Sequence, residues 1–179
     1  KQALTYVGRS LSSRSLHRLV LVVNYMRLGR WMADHGFFIR KRLNNRFQVF
    51  EAVGAKISYR QVLYMEFGVF RGTSMAYWSR LLKHPQALLH GFDSFEGLPE
   101  DFDFGGPYTK GTFDTAGRTP QIDDPRVTFF KGWFEDVLPR YRLPAHETLF
   151  INMDADLYSS TLFVLRHLQS WIRPGTYLY

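Results

Sequence analysis

At 179 residues the chain is about one domain long, enough to bury a sizeable core, and its 45% hydrophobic content is ordinary for a globular fold. The absence of cysteine excludes disulfides and thiolate-based zinc or redox sites, and no apolar run approaches the roughly 18 residues of a membrane span. The net charge of +7 is uneven: residues 1–90 hold 15 Lys/Arg against 3 Asp/Glu, whereas residues 91–179 hold 8 against 13. A basic front half can serve nucleic acid or an anionic surface, but no nucleic-acid motif accompanies it. The reading adopted is a basic helical region that covers, or docks on, a more acidic half, with no nucleic-acid partner. No cleavage pattern of a signal peptide follows Leu19–Val23, and a cytoplasmic location is expected. The sequence begins at Lys1 and stops at Tyr179 inside an expected strand, which reads as a piece of a longer protein.

Residues 1–60 are expected to form an N-terminal helical region that acts as a cap or a dimerisation element. Ser15 is the expected N-cap of a helix to about Ala33, with Leu16, Leu19, Val20, Val23 and Met26 as its apolar stripe and Gly36 at its end. A second helix is expected from about Arg46 to Ala55, broken near Gly54. The aromatics Trp31, Phe37, Phe38, Phe47 and Phe50 suit packing, and the front half as a whole suits a homo-oligomer interface. From residue 61 the pattern changes to alternating strands and helices, the mark of an α/β domain with a mostly parallel sheet flanked by helices. Strands are expected at Gln61–Met65, Ala87–Phe92, Arg126–Phe130, Thr148–Met153 and Thr176–Tyr179. Helices are expected at about Thr73–Lys83, Phe134–Leu138 and Ser159–Ile172. The connection from Glu96 to Asp124 is long for a loop and is expected to form a mobile lid. Gly105-Gly106-Pro107 and Gly111 are its expected hinges, and Phe102, Phe104, Tyr108 and Phe113 its packing residues.

Ligands of parallel sheets sit at the carboxyl ends of the strands, and the notable acids fall there. Glu66-Phe67-Gly68-Val69-Phe70-Arg71-Gly72-Thr73-Ser74 joins the first strand to a helix through glycines that let backbone approach a ligand closely. A phosphate cradle offers N–H groups and carries no carboxylate at its mouth. Glu66 therefore points to a ligand with a cationic amine and hydroxyls, of which S-adenosylmethionine is an example. Asp93 closes the second strand about 20 residues later, where an acid bonds ribose hydroxyls; the alternative is a turn Asp before Ser94. Gly132-Trp133-Phe134 can form one wall of an adenine pocket. Asp154-Ala155-Asp156 leaves the fourth strand with two carboxylates that can share a divalent cation, or split into ligand and base. None of the six histidines has metal spacing, and Ser159 and Ser160 read as helix caps. Two other enzymes use such acids. A nucleotide-sugar glycosyltransferase holds its metal with Asp-x-Asp but leaves Glu66 unexplained, and a nicotinamide dehydrogenase lacks its pyrophosphate turn here. A non-catalytic basic binding module is the third alternative.

Taken together, Glu66-Phe67-Gly68-Val69 with Gly72 and Ser74, Gly91-Phe92-Asp93-Ser94-Phe95-Glu96-Gly97-Leu98-Pro99, Gly132-Trp133-Phe134 with Leu138-Pro139, and Asp154-x-Asp156-Leu157-Tyr158 resemble the macrocin O-methyltransferase family over about residues 60–179. The resemblance implies a Rossmann-like class I methyltransferase domain over residues 61–179, with its last strands beyond Tyr179. It implies an S-adenosylmethionine site lined by Glu66, Gly68, Gly72, Thr73, Ser74, Asp93 and Ser94, to which Gly132 and Trp133 add the adenine wall. It further implies Asp154 as a Mg²⁺ ligand, Asp156 as the general base, two further acidic ligands after the fifth strand, and a saccharide or other small-molecule hydroxyl as acceptor.

Overall fold

A computed structural model describes residues 1–38, 42–102 and 108–179. They fall into two compact units, one up to Asn44 and one from Asn45 to Tyr179.

The first unit holds helices α1 (Gln2–Ser10) and α2 (Ser13–Asp34). The N-cap of α2 is Ser12 rather than Ser15: its hydroxyl accepts the backbone N–H of Ser15 at 3.1 Å, so Ser15 already lies in the first turn. Gly29 does not interrupt the helix, which closes at His35 with Gly36 in the left-handed region (φ 73°). No residue of α1 or α2 is buried. The expected stripe is open to solvent, as are Val22, Tyr25 and Leu28 on other sides of α2, so its apolar surface is not confined to one face.

In the second unit, β1 (Val62–Phe67), β2 (Leu88–Asp93), β3 (Val127–Lys131), β4 (Thr148–Met153) and β5 (Tyr177–Leu178) form one sheet. The strand order is β3-β2-β1-β4-β5 and every pairing is parallel. The chain therefore starts at the centre, winds outward to β3, and returns to the other side of β1. That reversal opens a crevice at the carboxyl ends of β1 and β4, where doubly wound sheets bind ligands.

Strand alternation divides the core. Val62 and Tyr64 pack with Phe50, Met75, Trp78 and Phe150 on one face, against helices α3 (Arg46–Ile57) and α4 (Thr73–Leu81). Leu63, Met65 and Phe67 pack with Phe92, Leu138, Val164 and Leu168 on the other, beneath α5 (Phe134–Val137) and α6 (Tyr158–Leu168). Each of these fully buried large side chains contributes about 1.5–3 kcal/mol. Because α3 delivers Phe50 and Ile57 to this core, it belongs with the sheet, and the unit begins at Asn45 rather than at residue 61. Gly54 does not break α3. It sits inside the helix where α3 crosses α4, and a Cβ there would come within 2.5 Å of a methyl of Leu81.

Candidate active site at the strand tips

Glu66 is the penultimate residue of β1, not its open end, because burial continues through Phe67. Only 2% exposed, it faces Asn152 across the β1–β4 ladder. The Tyr64 hydroxyl donates to Glu66 Oε2 at 3.2 Å, and Asn152 Nδ2 donates to the Tyr64 hydroxyl at 3.0 Å and to Glu66 Oε1 at 3.2 Å. Burial, reinforced by the charge of Asp154, pushes the Glu66 carboxyl up to about 8 against the help of its hydrogen bonds and of Arg46. Burial also raises the Tyr64 phenol well above its ordinary value. This is a buried acid in the floor of the site, beneath the open cleft.

The chain then turns at Gly68, φ 87°, where any side chain would collide with the carbonyl oxygen of Asp154. Asp93, at the end of β2, organises this turn. Its Oδ2 accepts the N–H groups of Val69 at 2.7 Å and Phe70 at 2.8 Å, and its Oδ1 accepts that of Phe95 at 2.7 Å. Of the four lone-pair directions of a carboxylate, three are therefore engaged by backbone. Asp93 thus holds the turn while it also lines the open cleft. Ser94 is likewise tied down: its hydroxyl accepts from Glu96 N at 3.1 Å and donates to the Gly97 carbonyl at 3.3 Å.

Above this floor lies a cleft of about 810 Å³, within the range of small-molecule sites. Gly68, Asp93, Ser94, Gly132, Trp133, Asp154 and Asp156 all line it, so the sequence-predicted residues from four different strand ends meet in one place. Gly72, Thr73 and Ser74 do not reach its wall. Gly72 is instead the left-handed N-cap of α4 (φ 73°), and Ser74 is buried in the first turn behind it. The connection after β2 supplies Gly97, Leu98, Pro99, Glu100, Lys110 and Phe113. Its described residues fold back on themselves, with bridges between Glu96 and Asp114 and between Phe102 and Tyr108, and with Phe113 against Phe70 and Tyr108. The expected hinge at Gly105-Gly106-Pro107, with Phe104, lies outside the described residues. Gly111 closes a turn, donating its N–H to the Leu98 carbonyl. Neither Ser159 nor Ser160 caps α6, whose N-cap is Leu157; Ser159 donates to Glu100 Oε1 at 2.8 Å and thereby ties α6 to the loop.

Asp154 and Asp156 differ sharply. Asp154 Oδ2 accepts from Arg46 Nη1 at 2.9 Å, an ion pair with both side chains partly exposed. Asp156 holds a left-handed backbone, φ 50°, and burial followed by the neighbouring charge of Asp154 raises its carboxyl above the ordinary range. Arg46 was invisible to sequence reasoning. It is the first residue of α3, reached through the Asn45 cap, and only the packing of α3 against the sheet swings it over the strand tips. Among the described residues no three of His, Cys, Asp and Glu gather as a metal site. Asp154 and Asp156 have the oxygen chemistry that a hard divalent cation takes, yet two carboxylates, one already held by a guanidinium, fall short of a complete shell.

A sequence profile described as macrocin-O-methyltransferase (TylF) matches residues 33–179. The chain belongs to that family. Family membership sets aside the glycosyltransferase and dehydrogenase readings. The 8-demethyl-8-(2,3-dimethoxy-alpha-L-rhamnosyl)-tetracenomycin-C 4'-O-methyltransferase of Streptomyces olivaceus is 29% identical over 136 residues, covering 64% of this chain and 50% of that protein. Mycinamicin III 3''-O-methyltransferase of Micromonospora griseorubida is 29% identical over 161 residues, covering 79% and 62%. The chain thus spans about half to six-tenths of the length of these curated relatives. Among solved structures, the O-methyltransferase NovP is similar at 26% identity with a TM-score of 0.45, covering 72% of this chain and 57% of that one. No described helix is long and apolar enough to cross a membrane.

Proposed function

We propose that the chain is the donor-binding and proton-accepting part of an S-adenosylmethionine-dependent O-methyltransferase that acts on a sugar hydroxyl of a natural product or polysaccharide. The observation that carries this is the convergence of Gly68, Asp93, Gly132–Trp133 and Asp156 on one cleft at the tips of parallel strands, in a chain of this family. The sugar acceptor rests on the two curated relatives, both of which carry O-methyltransferase names on natural products.

The cleft fits the donor chemically. Gly68 and Trp133 line it, the latter with an aromatic face, and Asp93 keeps one lone-pair direction for a ribose hydroxyl. When bound, S-adenosylmethionine supplies an electrophilic methyl carbon on a sulfonium centre. Asp156 is the general base. It lines the cleft, and its raised proton affinity brings it closer to the ideal for accepting a hydroxyl proton near neutral pH. Asp154 beside it would hold Mg²⁺, which when bound supplies a Lewis acid at the acceptor oxygen. Glu66, held in its buried network, supports the β1 turn from below rather than touching the ligand.

Calorimetry with S-adenosylhomocysteine, with and without Mg²⁺, tests the reading. Saturable one-to-one binding is expected, and no binding to the chain would overturn it.

A further inference from the structure

We propose that Arg46 is the receptor for the α-carboxylate of the donor's amino-acid arm, and that Asp154 holds it in place until the donor arrives. The inference rests on the donor reading above and adds a ligand contact from α3, a helix outside the motif-bearing region.

Position comes first. Strand order puts Asp93, Ser94 and Trp133 on the β2–β3 side of the Gly68 turn and Asp154 on its β4 side. Adjacent strand tips are about 4.8 Å apart, so a nucleoside linked to an amino acid spans several of them. With the ribose and adenine on the β2–β3 side, the amino-acid arm extends toward β1 and β4. Among the described residues two cations line the cleft wall, and Lys110 stands on the β2–β3 connection, so Arg46 is the described one on the side of the arm.

Chemistry comes second. The arm is a zwitterion, and what meets it is an ion pair, Arg46 with Asp154 at 2.9 Å. A zwitterion can open such a pair without leaving either protein charge uncompensated, since each finds a partner of opposite sign. The guanidinium is a planar fork matched to carboxylate, and both its hydrogen bonds among the described residues leave from Nη1, to Asp154 and, at 3.4 Å, to Ser74 Oγ. Among the described residues Nε and Nη2 have no hydrogen-bond partner, and they can face a ligand. The arrangement also explains the placement of Ser74, which lies behind the cleft wall yet within reach of Arg46.

The test compares two ligands that differ only in the arm, S-adenosylhomocysteine and 5′-methylthioadenosine, by calorimetry in EDTA, with thermal melts as a folding control. Arg46→Ala should weaken S-adenosylhomocysteine about 10- to 100-fold and leave 5′-methylthioadenosine unchanged. Arg46→Lys should fall between, since it keeps the charge and loses the fork. Equal weakening of both ligands by Arg46→Ala, or no weakening of either, overturns the assignment while leaving the donor reading intact. If the unaltered chain binds neither ligand, the donor reading fails and this one with it.

Discussion

Asp156 combines a proton acceptor's surroundings with a backbone conformation that few residues tolerate. At φ 50° it lies in the left-handed region, where Asn and Asp are several-fold enriched over other non-glycine residues. Asp156→Asn therefore keeps both shape and backbone and removes only the capacity to take a proton. Turnover of the complete enzyme should fall about 10²–10⁴-fold, while calorimetric affinity for S-adenosylhomocysteine stays within a factor of two or so. Full activity in that variant would refute the base assignment. Asp156→Ala would not serve, because it adds a backbone penalty to the chemical loss. Asp154 is tested differently: in an EDTA-treated sample its replacement by Ala should abolish any response to added Mg²⁺. A response that survives would place the cation elsewhere.

At the scale of elements, the tips of β1 and β4 are fitted so closely that Gly68 has no substitute. Gly68→Ala must pay the left-handed penalty of about 1–2 kcal/mol and also displace the Asp154 carbonyl. A lower urea midpoint with an unchanged slope should accompany weakened donor binding. The C-terminal end of α4 depends on a distant side chain. Arg126 donates to the carbonyls of Ser79, Leu82 and His84 while paired with Asp124. Arg126→Met leaves those carbonyls and a largely buried aspartate without their partner, and should cost about 2–4 kcal/mol by denaturant titration. These features show what the sequence could and could not carry. Thr148–Met153 and the start of α4 at Thr73 were readable to the residue, since an apolar run and a Gly-Thr-Ser turn are local signals. The glycine turn and both aspartates of the fourth strand were readable for the same reason. Asp93 was legible as a residue of the strand tip, but its bonds to the N–H groups of Val69, Phe70 and Phe95 were not, because they depend on how the β1 turn meets the end of β2. Arg46 was missed as a site residue, although the helix that it opens was expected from about Arg46 to Ala55. Its meaning lies in how α3 lies across the sheet, and no spacing within residues 45–60 records that.

Across the whole molecule, two buried groups on different faces of the sheet oppose each other as pH changes. The Glu66 carboxyl is raised from 4.5 to about 8, so the folded chain binds more protons than the unfolded one between those values and loses stability as pH climbs. His90, hydrogen-bonded to the Tyr141 hydroxyl at 2.6 Å, is lowered by burial from 6.5 to about 4, so stability is lost as pH falls through that window. The two slopes cancel between about 4.5 and 6.5 and leave Glu66 alone above it. Stability should therefore be flat over the acid interval and then drop by ~1.4 kcal/mol per pH unit toward pH 8. In Glu66→Gln the alkaline fall should disappear. Its persistence in that variant would show that another group is responsible.

The contact between Gly54 and Leu81 makes α3 a lever. Arg46 rides eight residues away along the same helix, about 12 Å from that fulcrum, so a slight tilt at the crossing becomes a larger sweep at the guanidinium. Adding a methyl at residue 54 should loosen the grip on the donor from a place no ligand touches, and trimming Leu81 to alanine alongside it should restore that grip. Natural or laboratory selection on the crossing could then retune donor affinity without altering any residue that meets the substrate.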